Sequence, residues 1–209
     1  MTDRFRYLSR WCALVLVLLG AGAAVARSTT VVPPAFEELV LESDYVVHGR
    51  VTAVESFWQE RGGSRVIVTQ VRVEVLEVIA GEPPSPLVLT MLGGTVGEQS
   101  MVLEGAPQFE VGDEDILFVQ GNGRQVSPLT RIMHGRYRVA KDVASGREFV
   151  ARDNGEPLTD TTEVAQPLHT EEGAAATATG EVPLAVRVER ALSPAEFVQR
   201  IRAVKPAAN

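Results

Sequence analysis

Arg65-Val66-Ile67-Val68-Thr69-Gln70-Val71-Arg72-Val73-Glu74-Val75-Leu76-Glu77-Val78-Ile79 alternates in character along most of its length. Ile67, Val71, Val73 and Val75 fall on one face, and Gln70, Arg72 and Glu74 on the other. A period of two is that of a half-buried strand, whereas an amphipathic helix repeats at 3.6. Upstream, residues 45–57 have the same β-branched and aromatic character. Between the two lies Gln59-Glu60-Arg61-Gly62-Gly63-Ser64, a polar, glycine-bearing connection. The spacing predicts a long antiparallel hairpin.

Further short strands are expected over residues 87–92, 100–103, 116–120, 126–129, 136–140 and 148–152. Turn residues separate them: a proline-rich stretch over 81–86, Gly93-Gly94 and Gly97, Val111-Gly112-Asp113-Glu114-Asp115, Gly121-Asn122-Gly123, and Ser145-Gly146. Helical patterns stand only at the ends. Phe36, Leu39 and Val40 recur at helical spacing with Glu37 and Glu38 in the first turn. Leu192-Ser193-Pro194-Ala195-Glu196-Phe197 carries an N-cap serine, proline at N1 and a capping-box glutamate, and opens an apolar stripe of Phe197, Val198, Ile201 and Val204. A parallel α/β fold needs amphipathic helices between its strands. The reading is therefore a mainly β protein: an antiparallel barrel or sandwich with a short N-terminal helix and a C-terminal amphipathic helix.

Residues 1–26 read as an export signal. Arg4, Arg6 and Arg10 precede an apolar run shorter than a membrane span, and Ala24-Val25-Ala26 is an A-x-A cleavage site. Cleavage would discard Cys12, the single cysteine, together with any disulfide or thiolate chemistry. It would leave 183 residues, with 17 basic and 26 acidic side chains, a net charge of −9. Such a surface repels nucleic-acid phosphates and anionic membranes. The expected location is secreted or periplasmic, with no stable membrane span after cleavage. The expected organisation is a barrel domain with its N-terminal helix over 27–153, a flexible linker over 154–181 and a C-terminal strand or helix over 182–209 docking on the barrel. The linker expectation rests on the loss of aromatics and the prevalence of Thr, Ala, Glu, Gly and Pro.

Catalytic and metal-binding patterns are missing from the sequence. His48 and His134 each sit in a His-Gly-Arg triplet, and His169 lies in the expected linker, but no acid stands at metal-ligand spacing from them. Ser100 has no glycine elbow and no neighbouring base. Asp113, Glu114 and Asp115 lack the ligand spacing of a calcium loop and read as a charged turn before a buried strand. Gly93-Gly94-Thr95-Val96-Gly97 has no lysine or helix after it, so it is not a phosphate loop. Trp58 and Arg61, a large aromatic and a cation at the hairpin connection, are the candidate residues for meeting a partner, and the alternative for Trp58 is that it closes the end of the barrel.

Asp44-Tyr45-Val46-Val47-His48-Gly49-Arg50-Val51, Val75-Leu76-Glu77-Val78-Ile79-Ala80-Gly81 and Phe109-Glu110-Val111-Gly112-Asp113-Glu114-Asp115-Ile116-Leu117-Phe118-Val119 resemble stretches of uncharacterised exported bacterial proteins. They are also similar to the OB-like barrel of netrin-like modules and tissue inhibitors of metalloproteinases. The resemblance spans residues 44–139 and implies that barrel. Tissue inhibitors work through an N-terminal cysteine, which a chain beginning Arg27-Ser28-Thr29 lacks. The barrel is implied without the inhibitory mechanism. These readings together describe a non-enzymatic, exported protein-binding or accessory module that uses no cofactor and whose partner is a protein. The alternatives are a cysteine-independent protease inhibitor or companion, and an enzyme whose site gathers scattered Asp, Glu, Arg and His.

Overall fold

The computed structural model describes residues 32–103, 105–168 and 183–206. The export signal, His169 and the rest of residues 169–181 of the expected linker lie outside the described residues, as does residue 182. The fold is mainly β and antiparallel. Its elements in chain order are α1 (Phe36–Glu42), β1 (Tyr45–Arg61), β2 (Ser64–Ala80), β3 (Leu87–Leu92), β4 (Gly94–Val96), β5 (Gln99–Met101), β6 (Glu114–Val119), β7 (Arg136–Lys141), β8 (Glu148–Arg152), α2 (Leu184–Arg190) and α3 (Pro194–Val204). Single 3-10 turns cover Ile132–Gly135 and Thr161–Ala165.

Six strands form one sheet in the order β3-β2-β1-β6-β7-β8, and β4 pairs with β5 alone. The hairpin is longer and tighter than the sequence suggests. Arg61 pairs directly with Ser64, so the connection shrinks to Gly62 and Gly63, both at positive φ. That is the two-residue turn whose twist matches the strands, and glycine adopts it without strain. Three register shifts between β1 and β2 bend the pair. Gly49 lies at one of them, where a side chain would overlap Val73.

The expected barrel is not closed. Closure would pair β3 with β8, but loops satisfy both edges instead. Leu92 N–H donates to the Val126 carbonyl, and Asn122 Nδ2 donates to the Val88 carbonyl on the β3 side. Val150 N–H donates to the Leu192 carbonyl, and Leu158 N–H to the Val150 carbonyl, on the β8 side. An edge whose polar groups are satisfied by a local loop has no drive to seek a distant strand. The strand expected over 126–129 is one such loop. It makes only an isolated bridge, Val119 to Leu129, because Pro128 cannot donate to a ladder.

Both faces of the sheet are covered. On one, Phe36, Leu39 and Val40 of α1 and Phe197, Val198 and Ile201 of α3 pack on Val46, Ile79, Ile116, Phe118, Tyr137 and Val150. On the other, Val47, Val51, Val71, Val73, Leu87, Leu89, Leu117 and Val119 meet Phe109 and Leu129. Ser193 caps α3 and completes the box with Glu196. The C-terminal region begins with a helix, α2, rather than a strand. The expected linker fails over its described part. Leu158 and Val164 are fully buried in the α-helical face of the core, and Glu163 bonds both the N–H and the hydroxyl of Thr159. Two well-placed aliphatic side chains order a segment whose average composition is polar.

Phe197 stands at the centre of an aromatic group, with ring centroids 4.9 Å from Tyr137, 5.8 Å from Phe36 and 6.1 Å from Phe118. Phe197→Ala is expected to lower stability by about 3–5 kcal/mol, measured as a fall in the urea midpoint. A change below about 1 kcal/mol would show that α3 is not part of the core.

Candidate functional site

The β1–β2 hairpin and the loop at its root form the candidate site. β1 pairs with β2 along its whole length, but its contact with β6 ends at Arg50 opposite Glu114. One further exchange follows: Val51 N–H donates to the Asp113 carbonyl at 2.8 Å and Gly112 N–H to the Val51 carbonyl at 2.9 Å. Beyond it, residues 52–61 have no backbone partner other than β2 among the described residues. In a two-residue hairpin the pair flanking the turn is hydrogen-bonded, and hydrogen-bonded pairs then recur at every second residue. Arg61, Gln59, Phe57, Glu55 and Ala53 therefore face β2 with their main-chain groups. Glu60, Trp58, Ser56 and Val54 direct theirs to the open edge.

Trp58 and Arg61 both lie on this arm. Trp58 is half-buried, stacked under the Arg65 guanidinium at 4.6 Å, and Arg61 is exposed beside the turn. Phe57, on the opposite face from Trp58, is 36 % exposed. Ser56 and Thr69 share a hydrogen bond across the arm, and Gly94 at the start of β4 packs over both.

At the root of the arm is an ionic cluster centred on Arg136. Its side chain is only 1 % exposed. Nε donates to Asp115 Oδ1 at 3.0 Å, Nη2 to Asp113 Oδ2 at 2.7 Å, and Nη1 to the Gln108 carbonyl and, at 3.4 Å, to Asp153. The guanidinium also lies 4.2 Å from the centroid of the Phe109 ring. Arg138 reaches Asp113 from the exposed side. One buried cation thus faces three carboxylates. Asp115 Oδ2 has no partner. Burial, with the Asp113 charge beside it, outweighs the Arg136 bond and pushes the Asp115 carboxyl up to about 6. Burial also works against the Asp113 charge, but the Glu110 N–H, Arg136 and Arg138 together hold that carboxyl below its usual value.

The two histidine triplets have different surroundings. His48 Nε2 lies 2.9 Å from Glu114 Oε1, whose other oxygen accepts from Arg50 at 2.8 Å. His134 is buried in the 3-10 turn before β7. Among the described residues no group of three or more His, Cys, Asp or Glu is placed to hold a metal ion. Nor is any helix among them long and apolar enough to cross a membrane. The Arg136 cluster escaped the sequence reading, although its sign was present. Asp115 shares a face with Leu117 and Val119, and so continues a buried stripe with an acid.

A carboxyl raised from 3.8 to about 6 favours the fold most below 3.8, and that contribution is lost as pH rises through about 6. The loss amounts to about 3 kcal/mol at most. In urea unfolding, the stability of Asp115→Asn relative to the unmodified chain is expected to rise between pH 4.5 and 7.5. A fall over the same interval would mean that the buried carboxylate is stabilised by Arg136 rather than strained. No family model, curated protein or solved structure matches this chain.

Proposed function

We propose that this chain is an exported, non-enzymatic protein-binding module that takes up an extended segment of its partner along the open edge of β1. The carrying observation is the ten-residue stretch, 52–61, that is hydrogen-bonded on one side only. Val54, Ser56, Trp58 and Glu60 each offer an N–H and a carbonyl at the spacing of a strand, which is the recognition chemistry of β-addition. Each main-chain bond contributes about 1 kcal/mol net, so four to eight of them support a specific interaction without a deep pocket. Trp58 and Phe57 stand on opposite faces of the arm and would flank alternate side chains of the incoming strand. Glu55, Glu60 and Arg61 put charge on the same edge, which discourages indiscriminate pairing.

The export signal and the net charge of −9 after its removal support a partner outside the cytoplasm that is neither nucleic acid nor an anionic membrane. The Arg136 cluster supports the same reading structurally. It fastens the 108–115 loop where β6 leaves β1, so the arm projects from a fixed root.

Peptides selected from a displayed random library on the immobilised protein give the probe. Trp58→Pro removes one outward N–H and the ring, while Trp58→Ala removes the ring alone. Trp58→Pro is expected to weaken the selected peptide at least about tenfold more than Trp58→Ala does, or about 1.4 kcal/mol, with unfolding midpoints close together. Equal losses in the two variants, or peptide-induced amide protection confined to other strands, would exclude the β1 edge.

A further inference from the structure

A cavity of about 610 Å³ lies away from the hairpin arm. It opens where the end of β8, the 154–168 segment and α2 meet. Arg152 forms its buried wall, with a side chain 3 % exposed, and Arg187 and Arg190 approach from α2. Pro167 and Leu168 supply an apolar side. The volume lies within the range of small-molecule sites.

The charges in this cavity are incompletely paired. Arg152 donates Nη2 to the Gln166 carbonyl, and its nearest carboxylate among the described residues is Glu156, Nη1 to Oε2 at 3.9 Å. Arg187 donates Nη2 to the Pro157 carbonyl, and that same nitrogen is also 3.9 Å from Glu156 Oε2. A separation of 3.9 Å is beyond hydrogen-bond reach. The other acid of the cavity, Glu163, is engaged through both oxygens by Thr159. Among the described residues, Arg152 and Arg187 therefore have no hydrogen-bonded carboxylate, and Glu156 lies 3.9 Å from each. Burial dominates at Arg152, and its pKa is lowered accordingly. A buried cation in this condition gains most from an anion that can accept two parallel N–H bonds.

We propose that this cavity binds an organic monocarboxylate, with its carboxylate held by Arg152 and Arg187 and its aliphatic body against Pro167 and Leu168. The planar fork of guanidinium matches a carboxylate bidentately. Glu156 and Glu163 line the same space and repel a multiply charged anion, which separates a monocarboxylate from phosphate. The carboxylate can belong to a free short-chain acid or to the C-terminus of a peptide. The site stands independently of the β1 edge.

Calorimetry with the folded protein tests it, using 3-methylbutanoate, 3-methylbutanamide, inorganic phosphate, N-acetyl-Ala-Leu and the amide of that dipeptide. The two carboxylates are expected to bind and their neutral amides not. Arg187→Gln is expected to weaken both acids about tenfold with an unfolding midpoint near that of the unmodified chain, a loss of about 1.4 kcal/mol. Arg152→Lys, which keeps charge and loses the fork, should weaken them as well. Trp58→Pro should leave them unchanged. Tighter binding of N-acetyl-Ala-Leu than of 3-methylbutanoate identifies a peptide C-terminus, and the reverse order a free acid. Equal binding of phosphate, equal binding of the amides, no heat at millimolar concentration, or an unaffected Arg187→Gln variant would each overturn the proposal.

Discussion

The buried guanidinium of Arg136 sets where the sheet divides. It ties β7, in which it sits, to the Gln108 carbonyl, to Asp113 and to Asp115 at the head of β6. A buried arginine must satisfy its donors locally, so the loop that precedes β6 cannot move along β1 without exposing an unpaired charge. The main chain of that loop makes its last exchange with β1 at Val51. The pairing ends where a turn with Gly112 at positive φ leads the chain away from β1, and the Arg136 network holds that turn in place. Replacing such a network by apolar groups can be neutral for stability. Its consequence here is geometric, because it fixes the point from which the hairpin projects.

From that point the remaining architecture follows. β1 has 17 residues, whereas β6 has six. The unmatched length leaves the sheet as an arm, with β3 paired to β2 and β4 packed over both β1 and β2 at Ser56 and Thr69. Three register shifts between Val46 and Ala53 bend the β1–β2 pair at the root of the arm without closing the sheet, and the loops on β3 and β8 remove the two edges that would have had to meet. Helices α1 and α3 cover one face and the Phe109 and Leu129 loops the other, so the molecule is stable as an open sheet.

The strands were legible because alternation and glycine turns are local. Ile67, Val71 and Val73 identified the buried face of β2 from the sequence alone, and Gly62-Gly63 marked the turn. The capping box of Ser193 and Glu196 was equally local. Closure was not, since it depends on which distant groups reach an edge first. Trp58 and Arg61 could be picked out as an aromatic and a cation near a turn, but the free edge beneath them depends on where β6 stops. That stop depends on Arg136, Asp113, Asp115 and Asp153, which are scattered over 41 positions and acquire meaning only when packed. The 154–168 segment shows the opposite error. Its average composition is polar, yet Leu158, Val164 and Leu168 are buried, main-chain bonds tie Leu158 to Val150 and Leu192, and its polar residues line a cavity of about 610 Å³. Averages over a window conceal correctly placed aliphatic groups.

The open edge and the arginine-lined cavity lie on different elements, and each can be altered without the other. Residue-resolved amide hydrogen exchange of the unliganded protein reads the free edge of β1 residue by residue. An open edge gives alternation along β1: slow exchange at Ala53, Glu55, Phe57 and Gln59, whose N–H groups pair with β2, and fast exchange at Val54, Ser56, Trp58 and Glu60. Uniformly slow exchange over residues 53–60 would contradict it, because a second strand would then already occupy the edge.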